Sequence, residues 1–289
     1  MFLYDISGLV VSVEGCSDKA LLDAMQPYSI SANDPVANVS VTITKCDEPI
    51  PMGEAKCISI SETEFWSATG DTLSYYLVFP EVEGAAVCAE CNVDFSIINI
   101  YTYDVKKHLG YDDSSLLLNT MSAIMHYIAL MHGRLVFHSS SIAVNGCGIA
   151  FSADSGVGKS THTSLWMQHI EGVEYINDDT PVITCTDGDI TICGSPFAGT
   201  SGINNDIRVP LKAIVFVTRG DNNRLIQVDT ITAFTRIMSQ LKKPVTDSMT
   251  NRLIDNLNCI LKDIPCYLMQ CNISSEAPLV AYQTIFNDK

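Results

Sequence analysis

The hydrophobic and polar positions of this chain predict strands over most of its length and helices in only a few segments. Short runs of alternating apolar residues bounded by turn clusters are typical of half-buried strands. Before about residue 105 such runs follow one another, at 39–44, 57–61, 74–79 and 95–100. We therefore predict that residues 1–110 form a β-rich accessory region.

The spacing becomes helical between about residues 113 and 132. Leu117, Met121, Ile124 and Ile128 recur every three or four positions, which places them on one face of a helix. The methionines of this segment are interpreted as core packing rather than as a ligand surface. Gly133 ends the predicted helix.

Strand patterns dominate again after residue 133, and a single helix interrupts them before the C-terminal part. The predicted strands are 135–137, 141–144, 148–151, 175–176, 182–184, 190–192, 213–217 and 266–271, and the predicted C-terminal helices are 230–241, 248–262 and 278–286. An ordinary parallel nucleotide-binding domain alternates strand and helix throughout. This sequence does not, so we predict a mixed α/β fold with a helical C-terminal part and a catalytic domain at 111–289.

The most informative motif is a glycine-rich segment between a predicted strand and a predicted helix. It consists of Ala153, Asp154, Ser155, Gly156, Val157, Gly158, Lys159 and Ser160, with Thr161 opening the helix. This context is typical of a phosphate-binding loop. Glycines allow successive N–H groups to point at one anion, and the helix N-terminus adds its dipole. Ala153 stands where the usual motif has its first glycine.

Two side chains of this loop have predicted roles in binding a nucleotide. Lys159 offers an ammonium for the β- and γ-phosphates, and the hydroxyl of Ser160 is placed to ligate Mg²⁺. The alternative is a glycine-rich turn that only joins a strand to a helix. The Gly-Lys-Ser order directly at a helix start favours the phosphate loop.

A pair of aspartates, Asp178 and Asp179, follows the predicted strand 175–176. One carboxylate is expected to steady Mg²⁺ together with Ser160, and the other to accept or orient the proton of an attacking hydroxyl. An Asp-Asp turn before Pro181 is the structural alternative. The upstream phosphate loop favours the functional interpretation.

Three further residues are candidates with structural alternatives of their own. His138 ends a predicted strand, where histidines commonly make structural hydrogen bonds. Arg208 and Arg219 flank the strand 213–217, and either is a candidate for neutralising a transferring phosphoryl group. Surface ion pairing is the alternative for both arginines.

The net charge of the chain disfavours some classes of binding partner. The 289 residues include 33 acidic and 17 basic side chains, a formal charge of −16. This charge disfavours nucleic acid and anionic membranes as partners. Apolar runs are too short to span a bilayer and no signal peptide is apparent, so a cytoplasmic protein is expected. The eleven cysteines are expected to be free thiols.

Three segments, in order, resemble the catalytic domain of HPr serine kinase/phosphorylase, which is related to ATP-dependent phosphoenolpyruvate carboxykinase. They are Phe137-His-Ser-Ser-Ser141, the loop 153–160 and Asn177-Asp-Asp179. The likeness covers roughly residues 133–220. The segments 194–199 and 209–216 look more like HPr-kinase-like proteins often found near peptide-modification genes.

The resemblance implies a strand-rich phosphoenolpyruvate carboxykinase-like fold and specific roles for the site residues. Lys159 and the loop amides would hold the phosphates of ATP, and Ser160 and Asp178 would hold Mg²⁺. Asp179 would deprotonate a serine hydroxyl on a peptide or small protein, with His138 against the phosphates. The resemblance also implies self-association.

Three functions follow as hypotheses. The first is an ATP- and Mg²⁺-dependent serine kinase acting on a peptide or small protein. The second is a small-molecule phosphotransferase or carboxykinase-like enzyme, which would need a basic pocket that the few arginines hardly provide. The third is a non-catalytic nucleotide-binding module, which is suggested by Ala153 at the position where the usual motif has a glycine.

Overall fold

The computed structural model describes residues 1–31, 36–52, 57–110, 115–154, 156–186 and 188–287. The chain divides into two units, Met1–His132 with Pro244–Met249 and Gly133–Lys243 with Thr250–Lys289. The observed division differs from the predicted one between residues 110 and 111, because the helix at 116–131 and the segment Pro244–Met249 are counted with the first unit.

The first unit contains an eight-stranded sheet. Its strands are β1 (Phe2–Ile6), β2 (Leu9–Glu14), β3 (Val39–Cys46), β4 (Cys57–Ser59), β5 (Glu64–Thr69), β6 (Thr72–Leu77), β7 (Val87–Asn92) and β8 (Ile97–Tyr103). They lie in the order β1-β2-β3-β8-β7-β6-β5-β4. The helices are α1 (Lys19–Met25), α2 (Val105–Leu109) and α3 (Leu116–Met131), with a 3-10 turn at Gln26–Tyr28.

Aromatic side chains form part of the core of this unit. The Trp66 ring lies 5.4 Å from that of Tyr75 and 4.9 Å from that of Tyr127 on α3. Met121 and Met125 are almost fully buried. The prediction that the methionines of α3 serve packing is thus confirmed, while its predicted start at 113–114 lies outside the described residues.

The second unit contains a mixed nine-stranded sheet. Its strands are β9 (Arg134–Val136), β10 (Ser140–Val144), β11 (Cys147–Ser152), β12 (Glu174–Asn177), β13 (Val182–Thr186), β14 (Asp189–Cys193), β15 (Arg208–Arg219), β16 (Arg224–Gln227) and β17 (Cys266–Cys271). The order is β12-β10-β11-β15-β14-β13-β9, and β17 pairs with β15 and β16. The helices are α4 (Lys159–His169), α5 (Thr230–Met238), α6 (Asp247–Asp263) and α7 (Glu276–Asn287). The mixed α/β class is confirmed.

Strand directions bring separate parts of the sequence to one edge of this sheet. Strand β10 runs antiparallel to β11 and to β12, so β11 and β12 run the same way. Strand β15 is parallel to β11 and β17 is parallel to β15. The start of β10 therefore lies at the same edge as the ends of the other four strands. Ligands commonly bind at such an edge in α/β sheets.

The core beneath this edge is built around Trp166 of α4, whose side chain is fully buried. Its ring lies 5.5 Å from that of Phe151 and 6.1 Å from that of Tyr282 on α7. The helix that follows the glycine-rich loop is thus fixed to the sheet, which holds its N-terminus in place.

One pair of cysteines corrects the expectation of free thiols. Cys185 on β13 and Cys259 on α6 are disulfide-bonded, with Cα atoms 6.6 Å apart. A separation of 74 residues along the chain hides this pairing from the sequence. The thiols of Cys88 and Cys91 are free and buried, and burial raises the pKa of both. Within the described ranges, no helix has the length and apolar character needed to cross a membrane.

Candidate active site

The glycine-rich loop joins the end of β11 to the start of α4, and two of its glycines are required by the backbone. Gly156 and Gly158 have φ angles of 74° and 124°, which residues other than glycine rarely adopt. The Val157 N–H donates to the Asp154 carbonyl at 3.2 Å and closes the turn. The first N–H groups of α4 have no acceptor within the helix, so this end is suited to an anion. Ser155 lies outside the described residues.

Lys159 lies at the first position of α4, half-buried, and faces three carboxylates. Its Nζ donates to the Ala153 carbonyl at 3.2 Å. Burial lowers the pKa of Lys159, and the charges of Asp179, Asp178 and Asp154 oppose that shift. The loop lysine and the aspartate pair, which are separate in sequence, therefore lie within electrostatic reach of one another.

Asn177 anchors the turn that carries the two aspartates. Its Oδ1 accepts from the N–H of Asp179 at 2.9 Å and from that of Thr180 at 2.7 Å. Its Nδ2 donates to the carbonyls of Ser195 at 3.0 Å and Phe197 at 3.1 Å. The side chain is fully buried; its oxygen fixes the backbone at Asp179 and Thr180, and its nitrogen ties this turn to the segment 195–197.

Asp178 is tied to α4 through two buried hydroxyls. Ser140 Oγ donates to Asp178 Oδ1 at 2.6 Å and lies 2.9 Å from Thr163 Oγ1. Thr163 Oγ1 in turn lies 3.1 Å from the carbonyl oxygen of Ser160. This chain of hydrogen bonds sets the position of Asp178 relative to the start of α4.

Asp179 pairs with His138, and a remote glutamine holds the histidine. The Asp179 Oδ1 atom lies 3.4 Å from His138 Nε2. His138 Nδ1 lies 3.1 Å from Gln240 Oε1, and Gln240 Nε2 donates to Asp154 Oδ1 at 3.2 Å. A β-carbon on Gly199 would come within 3.1 Å of the Asp179 carboxyl, so the glycine leaves room for that carboxyl.

The orientation of the Gln240 amide defines the bond to His138. Because Gln240 Nε2 donates to Asp154, its Oε1 accepts a hydrogen from His138 Nδ1. His138 Nε2 lies 3.4 Å from Asp179 Oδ1 and so borders one oxygen of that carboxyl. The second oxygen of Asp179 remains for a ligand hydroxyl.

The two candidate arginines lie at opposite ends of β15, and only one of them reaches the loop. Arg219, at the end of β15, donates from Nη2 to the Gly156 carbonyl at 2.6 Å and from Nε to the Val157 carbonyl at 3.3 Å. Arg208 begins the same strand, roughly 35 Å away along the extended chain, beside Cys193. The expectation that Arg208 stabilises phosphate charge is therefore wrong, since it lies at the opposite end of the strand from the loop.

Two clefts flank the glycine-rich loop. One, of about 430 Å³, lies between the loop and the end of α5, and Asp154, Arg219, Arg236 and Gln240 line it. The other, of about 760 Å³, lies beside α4 and the ends of β15 and β17, and its walls include Thr161. The loop is thus accessible from two sides.

Ser160 and Asp178 fit the expected magnesium site by their donor atoms. One oxygen of Asp178 accepts from Ser140, which leaves the second for a cation. Among the described residues, no three His, Cys, Asp or Glu side chains form one group that could hold a metal ion. Mg²⁺ bound with nucleotide needs few protein ligands, because phosphates and water complete its octahedron. The pair is therefore compatible with Mg²⁺ bound together with phosphates.

A buried histidine beneath the second cleft makes the unit sensitive to acid. Trp166 Nε1 donates to His162 Nε2 at 3.2 Å, and burial lowers the pKa of His162 to about 4. The unfolded chain binds this proton below pH 6.5 and the folded chain does not, so stability falls as pH drops towards 4. We expect a loss of about 3 kcal/mol from this residue.

Urea unfolding at pH 7, 5.5 and 4 measures this loss, with His162→Gln as the comparison. The glutamine does not titrate, and its amide oxygen can still accept a hydrogen bond. We expect a shallower decline in the unfolding free energy of this variant. Equal declines in both proteins would show that His162 is not responsible.

Sequence reasoning assigned no role to several residues that build this site. Ser140, Asn177, Gly199, Arg236 and Gln240 all contact or border the predicted ones. Asn177 carried a usable signal, because it stands directly before the aspartates at the end of a strand. Gln240 carried none, since 102 residues separate it from His138.

Comparisons with known proteins add little to this description. No protein-family model matches the chain, and no curated protein does. A solved structure with some likeness is that of the HPr(Ser) kinase/phosphatase from Coxiella burnetii, at 10% sequence identity and a TM-score of 0.32. The match covers 53% of this chain and 88% of that chain.

Proposed function

We propose that this chain is an ATP- and Mg²⁺-dependent kinase that transfers the γ-phosphate to a serine hydroxyl, on a peptide or small protein. The observation that supports it best is the convergence of Lys159, Asp178 and Asp179 at one edge of the sheet. A glycine-rich turn that only joined two elements would not require paired carboxylates facing its lysine. The phosphoenolpyruvate carboxykinase-like fold is part of the same proposal.

In this proposal the loop binds and orients the triphosphate. The amides at the start of α4 and the Lys159 ammonium hold phosphate oxygens. The bond from Lys159 Nζ to the Ala153 carbonyl is exchanged for bonds to phosphate, which brings the ammonium towards the charge it neutralises. Arg219 braces the carbonyls of Gly156 and Val157 and keeps the loop in its curled form.

The two aspartates have different proposed roles in catalysis. Asp178 and Ser160 would hold Mg²⁺, which neutralises charge on the phosphates when bound. Asp179 accepts the proton of the serine hydroxyl as the oxygen bonds to the γ-phosphorus, while the bond from that phosphorus to the bridging oxygen of the β-phosphate breaks and ADP leaves. His138, whose Nε2 lies 3.4 Å from Asp179 Oδ1, orients the Asp179 carboxylate.

Transfer of labelled phosphate from γ-labelled ATP tests this function. The protein is incubated with Mg²⁺ and a serine peptide library, and release to water is measured in parallel. We expect labelled peptides, or slow release of phosphate to water, and loss of both without Mg²⁺. Tight ATP binding with neither product would leave a non-catalytic nucleotide-binding module and contradict the kinase.

A further inference from the structure

The cleft between the loop and α5 contains an arginine whose charge is not paired within the described chain. Arg236 lines this cleft together with Asp154 and Gln240. Its guanidinium lies over the Phe216 ring, 5.7 Å from the centroid. Among the described residues it makes no ion pair, whereas ion pairs elsewhere join His138 to Asp179 and Lys107 to Asp47.

The ring beneath Arg236 gives this side chain a defined position. Phe216 is almost fully buried on β15, so its face is a fixed platform. A guanidinium within about 6 Å of a ring centroid is attracted to the face of the ring. The planar fork of hydrogen donors is thereby held at the cleft instead of moving freely in solvent.

Acidic side chains outnumber basic ones by 33 to 17 in this chain, so a guanidinium that lines a cleft is a notable attraction for an anionic ligand. The other arginine of the cleft, Arg219, is already occupied by the carbonyls of Gly156 and Val157. A ligand in this cleft can therefore supply a counter-ion to Arg236. A carboxylate matches the guanidinium fork with two parallel hydrogen bonds.

The position of the cleft indicates which ligand this is. Gln240 lines the cleft and also contacts His138, which pairs with Asp179. The cleft thus lies next to the residues that would receive the acceptor hydroxyl. The second cleft lies beside α4 on another side of the loop and includes neither Arg236 nor Gln240.

We propose that this cleft is the acceptor subsite and that Arg236 selects acceptors that carry a carboxylate close to the phosphorylated serine. The inference rests on the proposed kinase function and narrows its substrate class. Arg236 binds the carboxylate and so positions the hydroxyl towards Asp179. The carboxylate comes from an acidic side chain or from the C-terminus of the acceptor.

Calorimetric titration of three synthetic peptides tests this subsite in the full chain. The first has one serine among neutral residues with both ends blocked, the second adds an aspartate beside the serine, and the third leaves a free C-terminus directly after it. We expect at least one carboxylate peptide to bind about tenfold to a hundredfold more tightly than the neutral one. The preferred peptide shows whether the carboxylate comes from an acidic side chain or from the C-terminus.

Variants of Arg236 connect the preference to this residue. Arg236→Gln should remove the preference, Arg236→Lys should keep part of it, and Arg252→Gln on the exposed face of α6 should keep all of it. No preference in the unaltered protein, or a preference that survives in Arg236→Gln, would overturn the subsite. Thermal unfolding of each variant confirms that it is folded.

A separate titration with Mg-ATP distinguishes failure of the subsite from failure of the kinase proposal. Absence of a carboxylate preference in the unaltered protein, with intact ATP binding, contradicts the subsite alone. A preference that depends on Arg236 in a protein that does not bind ATP contradicts the kinase and leaves an acidic-peptide site.

Discussion

Replacing Asp179 by asparagine is expected to lower the rate of phosphoryl transfer by about 10²- to 10⁴-fold, the usual contribution of a general base. The amide has nearly the shape of the carboxylate, so Asn177 and Ser139 still fix the backbone of this position. What is lost is the ability to accept a proton. ATP affinity should change little, because the loop and not Asp179 holds the phosphates.

Release of labelled γ-phosphate to peptide and to water measures this effect, under conditions of saturating Mg-ATP. Asp255→Asn is the matched control, since Asp255 is exposed on α6. If Asp179→Asn retained the full rate of transfer, the assignment of the base would be wrong. A loss of ATP binding in the same variant would instead point to a structural role for Asp179.

Replacing Lys159 by alanine is expected to weaken Mg-ATP binding by about a hundredfold or more. Hydrogen bonds to charged groups each contribute about 1.5–3 kcal/mol, and the ammonium is expected to contact two phosphates. The substitution also leaves Asp154, Asp178 and Asp179 without the cation that faces them. The carboxylates would then repel the triphosphate.

Equilibrium dialysis with labelled ATP measures this loss. Lys212→Ala removes an exposed lysine near the start of β15, the end of the strand remote from the loop, and serves as control. The control should bind ATP as the unaltered protein does. Equal affinity in Lys159→Ala would show that the glycine-rich loop is not a phosphate site.

The local features of the site could be predicted from the sequence because each depends on contiguous residues. The loop 153–160 carries its own backbone requirements, and Gly156 and Gly158 have the positive φ angles that the motif needs. The strand before the loop and the helix after it are present as predicted. Local sequence fixes such geometry because it depends on neighbouring residues.

Features that depend on the order of strands were beyond sequence reasoning. The meeting of Ser140 with Asp178 requires β10 to lie beside β12, and no local pattern specifies that pairing. Arg208 and Arg219 looked equivalent in sequence because both flank an apolar run. The direction of β15 separates them, and only Arg219 reaches the loop.

Arg236 was overlooked for a related reason. It lies on an amphipathic helix, where an arginine normally indicates a solvated face. Its proximity to Phe216 becomes apparent only when α5 is placed against the sheet. Long-range packing, rather than residue type, gives this side chain its proposed role.

The most direct test of the proposed site is the effect of Mg²⁺ on ATP affinity, measured by calorimetry in the unaltered protein and in Asp178→Asn. The asparagine can still accept the hydrogen bond from Ser140, so the turn should remain intact while the charge that holds the cation is removed. We expect Mg²⁺ to strengthen ATP binding in the unaltered protein and to have little effect in the variant. An equal response to Mg²⁺ in both proteins, or no ATP binding in the unaltered one, would contradict a nucleotide held between Lys159 and the paired aspartates.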